Sequence, residues 1–526
     1  MERLHGRRSA IGRTRCRRGS RGAGQRLIPL RHKEKEENIV QKTPQTIPLY
    51  IGGTFSGASD GRTFERLGPA SNALVTRAAA ATLADADAAV EAAAGAFAAW
   101  SALGPSVRRT RLLKAADALE ARIPDFIEAG VAETGATADW MGFNASYAAN
   151  MMREAASLST QVSGTVVASD LSDAMTLSVR RPCGVVLGIA PWNSPVILAV
   201  RAIATALACG NTVVLKASEV CPATHALVGR AMHEAGLGDG VVNVLTNAPA
   251  DAPALVERLI AAPAVRRVNF TGSAAVGRII AHHAAEHLKP SLLELGSKAP
   301  LLVLDDADVD AAVAAIAFGA FLNQGQICMS TERVVVADAV ADELVAKLAS
   351  KARSLKAGPP GTPGAVLGLL ESARSAQRVQ ALVINAMELG AELPLDLAVE
   401  GACMQPCIVD RVDSRMRLYG EESFGPVVSI IRVANDDEAI RVANDSAYGL
   451  TAAVFSRDTS RAMRVARSLQ SGACHINGAT LYDEPQLPMG GVKASGWGRF
   501  GGPAGIHEFT DLCSVTLQSG RQKYPI

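Results

Sequence analysis

The sequence predicts an α/β protein whose parallel sheets are covered by helices on both faces. Between residues 178 and 296, short β-branched runs alternate with Ala-rich segments, and each run is apolar along almost its whole length. Strands of this kind are typical of parallel sheets that are buried on both sides. A second alternating block extends from residue 299 to about residue 480. We therefore expect two α/β units.

Helices come first in the chain. Residues 83–156 are rich in Ala, Leu and Glu, with apolar side chains three and four residues apart, and Asp85 or Asp87 is the expected N-cap of the first helix. The first block then predicts strands at 185–187, 212–215, 241–244 and 267–270, with helices at 198–208, 222–236 and 252–262. The second block predicts strands at 301–304, 334–336 and 427–431, and Gly- and Pro-rich stretches at 357–364 and 488–505 predict loops.

Composition and charge exclude several classes of protein. The 526 residues are 48% hydrophobic and 20% charged, which excludes a disordered or fibrous chain. Residues 1–39 carry a net charge of +8 and residues 40–526 a net charge of −6, so the body is not expected to bind nucleic acid. No apolar stretch reaches 18 residues, and the nine cysteines have no regular spacing. We therefore expect no membrane partner, no metal site and a cytoplasmic location.

Residues 1–39 lie outside the predicted fold, because their ten arginines alternate with Gly and Ser without apolar periodicity. They suit an organelle transit peptide, a disordered basic tail, or a leader that is absent from the native protein. The third interpretation is favoured, because residues 33–37 are what a purine-rich ribosome-binding site encodes and Val40 follows at a suitable distance for a GTG start codon. The intact mass of the protein expressed from its own upstream DNA tests this hypothesis, and a product carrying Met1 would contradict it.

Three residues lie in settings that suit catalysis, and each has an ordinary alternative. Cys328 lies in a polar turn that can leave a thiol accessible, although an isolated Cys is commonly a small buried hydrophobe. Glu294 ends an apolar run, where burial can make it a general base; otherwise it is a salt-bridged strand residue. Asn193 directly follows a buried strand and can donate to an oxyanion; otherwise it is a turn residue between two prolines.

Two strand ends suggest an anion site. Gly272 and Ser273 close the strand at 267–270, and Ser273 is expected to cap the helix that contains Gly277. Lys216 and Glu219 close the strand at 212–215. Neither segment matches the three-glycine dinucleotide fingerprint or a P-loop, so each signal is weak by itself.

Together these segments resemble the NAD(P)-dependent aldehyde dehydrogenase superfamily over residues 46–526. The motifs are Pro-Trp-Asn at 191–193, Lys-x-x-Glu at 216–219, Phe-Thr-Gly-Ser at 270–273, Glu-Leu-Gly at 294–296, Gln-Gly-Gln-Ile-Cys at 324–328, Glu-Ser-Phe-Gly-Pro-Val at 422–427 and Gly-Gly-Val-Lys-x-Ser-Gly at 490–496. Seven motifs in one order are far more specific than any one of them. The resemblance implies a Rossmann-like cofactor domain, an α/β catalytic domain and a small β oligomerisation element.

The resemblance also implies a role for each motif residue. Cys328 would be the nucleophile that forms a thiohemiacetal and then a thioester. The amide of Asn193 and the backbone N–H of Cys328 would stabilise the oxyanion, and Glu294 would activate the hydrolytic water. The implied cofactor-binding residues are Trp192, Lys216, Glu219, Gly272, Ser273, Gly277, Leu295, Glu422 and Phe424. Of these, Lys216 and Glu219 resemble the adenine-ribose contacts, and Glu422 and Phe424 the nicotinamide-ribose contacts.

Charge predicts which cofactor is preferred. A carboxylate at Glu219 accepts hydrogen bonds from a ribose 2′-OH but repels a 2′-phosphate, so NAD is expected rather than NADP. Two departures from the family pattern accompany this site. Ser297 stands where the family usually has a second Gly, and Met489 and Phe500 replace residues of two late motifs.

The expected substrate is a small aromatic aldehyde. Residues 201–219 and 474–526 resemble the bacterial salicylaldehyde and vanillin dehydrogenase branch, with an aliphatic aldehyde or a semialdehyde as the alternative. Trp140 would stack on the ring, and Arg201 would attract a phenolate or polar ring substituent. Alternatively, Trp140 belongs to the core and Arg201 pairs with a distant carboxylate.

The expected domains are a leader (1–39), an NAD-binding domain (40–163 and 183–296), a catalytic domain (297–506) and an oligomerisation element (164–182 and 507–526). Exposed strand edges are normally covered by a second subunit, which predicts a homodimer or homotetramer. Two rivals stay open: a CoA-acylating semialdehyde dehydrogenase and a non-catalytic structural or binding member. Glu294 argues against the first, because a base is dispensable there. Intact Cys328, Asn193, Glu294 and Glu422 argue against the second, although Ser297 keeps it open.

Overall fold

The structure is a computed structural model that describes residues 46–521 and 524–526; the predicted leader at 1–39 lies outside the described residues. The strands, numbered in chain order, are β1 (Thr46–Ile47), β2 (Leu49–Ile51), β3 (Thr54–Ser56), β4 (Thr63–Leu67), β5 (Leu74–Ala79), β6 (Thr165–Val167), β7 (Ala174–Pro182), β8 (Val185–Ile189), β9 (Thr212–Lys216), β10 (Val242–Leu245), β11 (Val265–Thr271), β12 (Ser291–Glu294), β13 (Ala299–Val303), β14 (Thr331–Ala337), β15 (Lys356–Ala357), β16 (Ala365–Leu367), β17 (Val399–Glu400), β18 (Cys403–Met404), β19 (Cys407–Val409), β20 (Val427–Val433), β21 (Thr451–Phe455), β22 (Ala473–Ile476), β23 (Gly496–Trp497) and β24 (Thr510–Gln518). The helices are α1 (Leu83–Ser101), α2 (Pro105–Ala121), α3 (Ile123–Thr134), α4 (Ala138–Leu158), α5 (Pro195–Ala208), α6 (Pro222–Glu234), α7 (Ala252–Ala261), α8 (Ala274–Glu286), α9 (Val309–Phe321), α10 (Asp338–Arg353), α11 (Ala373–Glu388), α12 (Arg417–Gly420), α13 (Asp436–Asn444), α14 (Thr459–Ser468) and α15 (Gly502–Glu508).

The predicted α/β fold is confirmed. An eight-stranded sheet has the order β23-β12-β11-β8-β9-β10-β2-β3, and its five central strands, β12 to β10, run parallel. Strands β8 and β9 are buried at every position, because helices cover both faces of the sheet. The strand order reverses between β8 and β11, so the loops that follow these strands leave the sheet in opposite directions and open a crevice.

A second sheet of six parallel strands has the order β19-β20-β14-β13-β21-β22. Apolar side chains cover both of its faces in two separate clusters, one built around α9 and α10 and the other around α11 and α13. The segments that enter β14 and β20 carry the predicted motif residues. The carboxyl edge of the first sheet therefore faces the amino edge of the second across the crevice.

A third, antiparallel sheet joins two segments that are far apart in the chain. Strand β24 pairs with β7 over nine residues, from Thr510 opposite Pro182 to Gln518 opposite Ala174, and β6 pairs with the other edge of β7. Apolar side chains on this sheet are exposed, including Val166, Leu512 and Leu517. In the part of the chain that the structure describes, no helix combines the length and hydropathy needed to cross a membrane.

Two local predictions were wrong. Helix α1 is capped by Thr82, not by Asp85 or Asp87: the Thr82 Oγ1 accepts the Asp85 N–H at 3.1 Å, and the Asp85 carboxylate accepts the Thr82 N–H at 2.8 Å. This is a capping box, in which the acid occupies the third helical position. The predicted loop at 488–505 ends in α15, whose Pro503 lies in the first turn, where no helical N–H partner is needed.

Candidate active site

The crevice between the two large sheets is a cavity of about 430 Å³. It collects residues from five separate loops: three follow β8, β11 and β12 of the first sheet, and two precede β14 and β20 of the second. Of the sequence-predicted site residues, those that line it are Trp192, Asn193, Gly272, Ser273, Glu294, Cys328, Glu422 and Phe424. Lys216 is the last residue of β9, which pairs with β8, and Glu219 lies three residues further along the chain. Trp140 and Arg201 do not line this cavity.

Cys328 is presented by a strained turn that precedes β14. Asn323 and Gln324 both have positive φ angles, 48° and 57°, which non-glycine residues rarely adopt. A Cβ on the next residue, Gly325, would lie 2.1 Å from the Gly425 carbonyl oxygen, so only glycine fits there. Strain of this kind persists where the surrounding packing enforces it, commonly at functional sites. The turn leaves Cys328 partly exposed on the cavity wall.

The electrostatic setting of Cys328 favours the neutral thiol. Burial raises the pKa of the Cys328 thiol well above its ordinary value, and the charge of Glu294 raises it further. The guanidinium of Arg201 acts in the opposite direction. A group that removes the proton is therefore needed before the sulfur can attack.

Glu294 is the last residue of β12 and is fully buried. Burial raises the pKa of its carboxyl group, although the nearby Cys328 thiol and the charge of Arg201 partly oppose the shift. Neither carboxylate oxygen has a hydrogen-bond partner among the described residues. An unpartnered carboxyl that faces a thiol across a cavity can take a proton from the thiol or from a water molecule.

Both the side-chain amide and the backbone oxygen of Asn193 are held by hydrogen bonds. Its Nδ2 donates to the Gln326 carbonyl oxygen at 2.9 Å, in the turn that carries Cys328. Its own backbone oxygen accepts hydrogen bonds from Trp140 Nε1 at 3.2 Å and from Asn323 Nδ2 at 3.0 Å. These bonds fix the amide beside Cys328, where its second N–H can serve a developing oxyanion. Trp140 therefore supports Asn193 from the core side.

The sequence-predicted anion site is the start of α8. Ser273 caps this helix, because its Oγ accepts the Val276 N–H at 3.3 Å. A Cβ at Gly277 would lie 2.5 Å from Leu295, which shows how tightly the helix packs on the end of β12. Gly272 and Ser273, at the start of this helix, line the cavity, and the start of a helix can bind a phosphate without a basic side chain.

Only one oxygen of the Glu219 carboxylate has hydrogen-bond partners among the described residues. Its Oε1 accepts from Lys216 Nζ and, at 2.9 Å, from Asn247 Nδ2, while Oε2 has no partner among the described residues. The free oxygen can accept a hydroxyl group. Asn247 was missed in the sequence, because its position after β10 becomes meaningful only once β10 pairs with β9.

Glu422 and Phe424 project from the loop that enters β20. The Glu422 Oε1 accepts the Ser297 N–H at 2.7 Å, and a Cβ on Gly296 would lie 2.4 Å from Glu422 Oε2. Burial and the charge of Glu332 raise the pKa of Glu422 to about 8. The Phe424 ring stands edge-on to Trp192 at 5.9 Å between centroids.

Arg378 also lines the cavity and was not predicted from the sequence. It lies in α11, where an Arg on an amphipathic helix is an ordinary surface residue, and no local signal distinguishes it. Its guanidinium donates to the backbone oxygens of Glu422 and Ser423, at 3.2 and 2.5 Å. It thus supports the loop from outside.

A dinucleotide fits this donor set. The helix start at Ser273 suits a pyrophosphate, the free oxygen of Glu219 suits one ribose, and Glu422 suits the other. Gly296 leaves space that any larger residue would fill. This space lies beside Glu422 Oε2, which can accept a hydrogen bond from a hydroxyl group. The same cavity contains Cys328 and Glu294, so a bound nicotinamide would share it with the reacting thiol.

Arg201 is ion-paired rather than free. Its guanidinium contacts the carboxylate of Asp483, and both side chains are buried, at 7% and 11% exposure. It also lies 5.8 Å from the Phe500 ring centroid. This geometry corresponds to the alternative in which Arg201 pairs with a distant carboxylate, since Asp483 is 282 residues away in the chain. Contact of Arg201 or Trp140 with a substrate stays a prediction.

Comparison with known proteins identifies close relatives. The family model described as aldehyde dehydrogenase family matches residues 55–515. The chain is 60% identical to a vanillin dehydrogenase of Pseudomonas fluorescens over 480 residues, which cover 91% of this chain and 99% of the relative. It is 49% identical to a salicylaldehyde dehydrogenase of Pseudomonas putida over 478 residues, 91% of this chain and 99% of the relative. A crystal structure of a Pseudomonas putida salicylaldehyde dehydrogenase complexed with salicylaldehyde superposes with a TM-score of 0.90 at 48% identity, covering 91% of this chain and 100% of that one.

Proposed function

Because the chain belongs to the aldehyde dehydrogenase family, we propose that it oxidises an aromatic aldehyde to the carboxylic acid with NAD. Enzymes of this family act on aldehydes and use NAD(P). The observation that carries the proposal is the meeting of Cys328, Asn193 and Glu294 in one cavity that also suits a dinucleotide.

In the proposed mechanism, Cys328 attacks the aldehyde carbon after Glu294 removes the thiol proton. The new C–S bond turns the carbonyl oxygen into an oxyanion. The side-chain amide of Asn193 and the backbone N–H of Cys328 donate to it, and each such donor contributes roughly 3–4 kcal/mol in comparable enzymes. Bound NAD supplies the acceptor for the hydride that leaves the thiohemiacetal carbon. The resulting thioester stays attached to Cys328 Sγ.

Glu294 then acts a second time. After it has released the thiol proton to solvent, it takes a proton from water, the hydroxide attacks the thioester carbon, and the C–S bond breaks to release the acid and the thiolate. Neither of its oxygens has a hydrogen-bond partner among the described residues, which suits this role because no such bond has to be broken first. A carboxyl with a raised pKa is also a stronger base near neutral pH.

The preference for NAD rests on Glu219. Its free Oε2 can accept a 2′-hydroxyl, whereas a 2′-phosphate would meet the same negative charge. Lys216 already pairs with Oε1, so its charge is largely used within the protein. We expect NAD to be favoured at least tenfold over NADP in kcat/KM, and Glu219→Gln to reduce that ratio.

The aromatic substrate class is drawn from the relatives, which are named vanillin, salicylaldehyde and benzaldehyde dehydrogenases. Trp140 donates a hydrogen bond to the backbone oxygen of Asn193, and the charge of Arg201 acts on Glu294 and Cys328. Both residues are retained as candidates for contact with the ring.

The exposed sheet β24-β7-β6 is proposed as the surface through which the chain forms a homodimer or homotetramer. The cytoplasm is proposed as the location of the protein.

Absorbance at 340 nm tests the proposal, with NAD and, separately, vanillin, salicylaldehyde, benzaldehyde, hexanal and succinic semialdehyde, without CoA. Salicylaldehyde absorbs nearby, so NADH fluorescence checks that substrate. A lead of tenfold or more in kcat/KM for the aromatic aldehydes is expected, about 1.4 kcal/mol of transition-state discrimination. A lead for hexanal or succinic semialdehyde would reject the aromatic class. Turnover that requires CoA would favour the acylating rival, and no turnover in a folded sample would favour a non-catalytic member.

A further inference from the structure

Glu332 is a buried carboxylate that the proposed chemistry does not use. It is the second residue of β14, four residues after Cys328, and is only 4% exposed. Its side chain contacts the loop at 421–426, which carries Glu422 and Phe424. Lys298, which is 1% exposed, closes the other side of the carboxylate at 2.5 Å.

The carboxylate of Glu332 accepts three different donors from that loop. They are the Ser423 N–H, at 2.8 and 3.0 Å from the two oxygens, the Ser423 hydroxyl at 2.8 Å and the Phe424 N–H at 3.0 Å. On the outer side, Arg378 donates to the backbone oxygens of Glu422 and Ser423. The peptide groups between Glu422 and Phe424 are therefore held from both sides.

This loop needs such support, because its backbone is strained. Phe424 has a φ angle of +47°, a conformation that a bulky residue rarely adopts. Without its hydrogen bonds the loop would relax to an extended conformation and turn the Phe424 ring away from Trp192. The same relaxation would move Glu422, whose Oε1 is held by the Ser297 N–H in the present arrangement.

We propose that Glu332, supported by Lys298, is a positioning residue that holds Glu422 and Phe424 in place for the nicotinamide half of the cofactor. The inference rests on the proposed function, in that Glu422 and Phe424 are taken as cofactor contacts. Because Glu332 lies only four residues after Cys328, one short segment fixes the thiol and the cofactor loop relative to one another. The adenine half is held by other elements, namely β9, β10 and the start of α8.

The test compares the binding of two ligands by isothermal titration calorimetry: NAD, and ADP, which lacks the nicotinamide half. The variant Glu332→Gln replaces one acceptor oxygen with an NH₂ group, which faces either the loop N–H groups or the Lys298 ammonium as a second donor. We expect the Kd for NAD to rise at least tenfold and the Kd for ADP to change less than twofold. Ser423→Ala removes one of the three loop donors and should raise the Kd for NAD less than threefold.

A second variant separates positioning from folding. Glu332→Gln leaves Lys298 buried without its partner, which can destabilise the chain. The double variant Lys298→Met/Glu332→Gln removes that unpaired charge and should fold, yet show the same selective loss of NAD binding. Asp410→Asn is the matched control: it alters another buried carboxylate of the second sheet, paired with Arg432, which does not line the cavity. This control should bind both ligands as the unchanged protein does.

The outcomes are distinct. Unchanged NAD binding in both Glu332 variants, or an equal loss of NAD and ADP binding, would overturn the inference. Failure of the unchanged protein to bind NAD would instead reject the proposed cofactor, and the inference with it. Selective loss of NAD affinity, together with a larger rise in KM for NAD than for the aldehyde, would support the inference.

Discussion

Replacement of Arg201 by methionine tests how the buried pair with Asp483 functions. Arg201 and Asp483 are 7% and 11% exposed, so loss of one partner leaves a nearly buried charge uncompensated. Breaking a buried pair in this way typically costs about 3–5 kcal/mol, whereas replacing both partners with apolar residues is often close to neutral. We therefore expect Arg201→Met and Asp483→Leu each to lower the free energy of unfolding by about 3 kcal/mol or more. The double variant should lie much closer to the unchanged protein.

Urea denaturation at a fixed protein concentration, followed by tryptophan fluorescence, measures this coupling. Arg258→Met provides the control, because its ion pair with Asp87 is exposed and should leave the midpoint nearly unchanged. Enzyme kinetics on hydroxybenzaldehydes and benzaldehyde then ask whether Arg201 contacts the ring substituent. If the guanidinium is fully engaged by Asp483, KM should change equally for both substrates. A rise of tenfold or more for the hydroxylated substrates alone, with little loss of stability, would refute this reasoning and support direct contact.

Three further predictions concern the reacting groups. Asn193→Ala should lower kcat about 100- to 1000-fold with a smaller change in KM, because the amide acts on the oxyanion; an equal loss in both constants would contradict that role. Glu294→Gln should abolish turnover but raise the free energy of unfolding at pH 8. Because the pKa of Glu294 is raised, the folded state binds the proton more tightly than the unfolded state, and the unchanged protein loses stability as the pH rises above the ordinary value of 4.5. The variant has no carboxyl group at this position and should not show that loss. Calorimetric titrations should show the Kd for NAD falling about tenfold from pH 7 to pH 9, as Glu422 with its pKa of about 8 becomes ionised, and Glu422→Gln should remove this dependence.

Much of the fold follows from local patterns. Apolar β-branched runs predicted the central strands, because both faces of a parallel sheet are buried and nearly every position of such a strand is therefore apolar. Helix ends were harder to predict: Asp85 belongs to a capping box rather than to the cap itself, and either position is compatible with an acidic residue near a helix start. The motif residues were found because they occur in a fixed order along the chain.

The residues that support the site could not be found in this way. No local pattern marks Arg378 or Asn247, because each acts through a hydrogen bond to a distant part of the chain. Arg378 donates to backbone oxygens and Asn247 donates to a carboxylate. Glu332 is adjacent to the Cys328 motif, yet its partners lie 34 and 91 residues further away. Arg201 was recognised as an unusual charge in an apolar helix, but its partner 282 residues away was not.

The sequence by itself therefore determined the α/β class, the order of the strands and helices, and the residues that are proposed to bear the chemistry. Those features depend on hydrophobic periodicity and on the chemistry of single side chains, both of which can be recognised in short segments of the sequence. Only the tertiary structure decided which charges are paired, which carboxyl group is left without a partner, and how the Glu422 loop is held. Burial and hydrogen-bond partners arise when distant segments pack together, and they set the pKa of Glu294 and the conformation of Phe424.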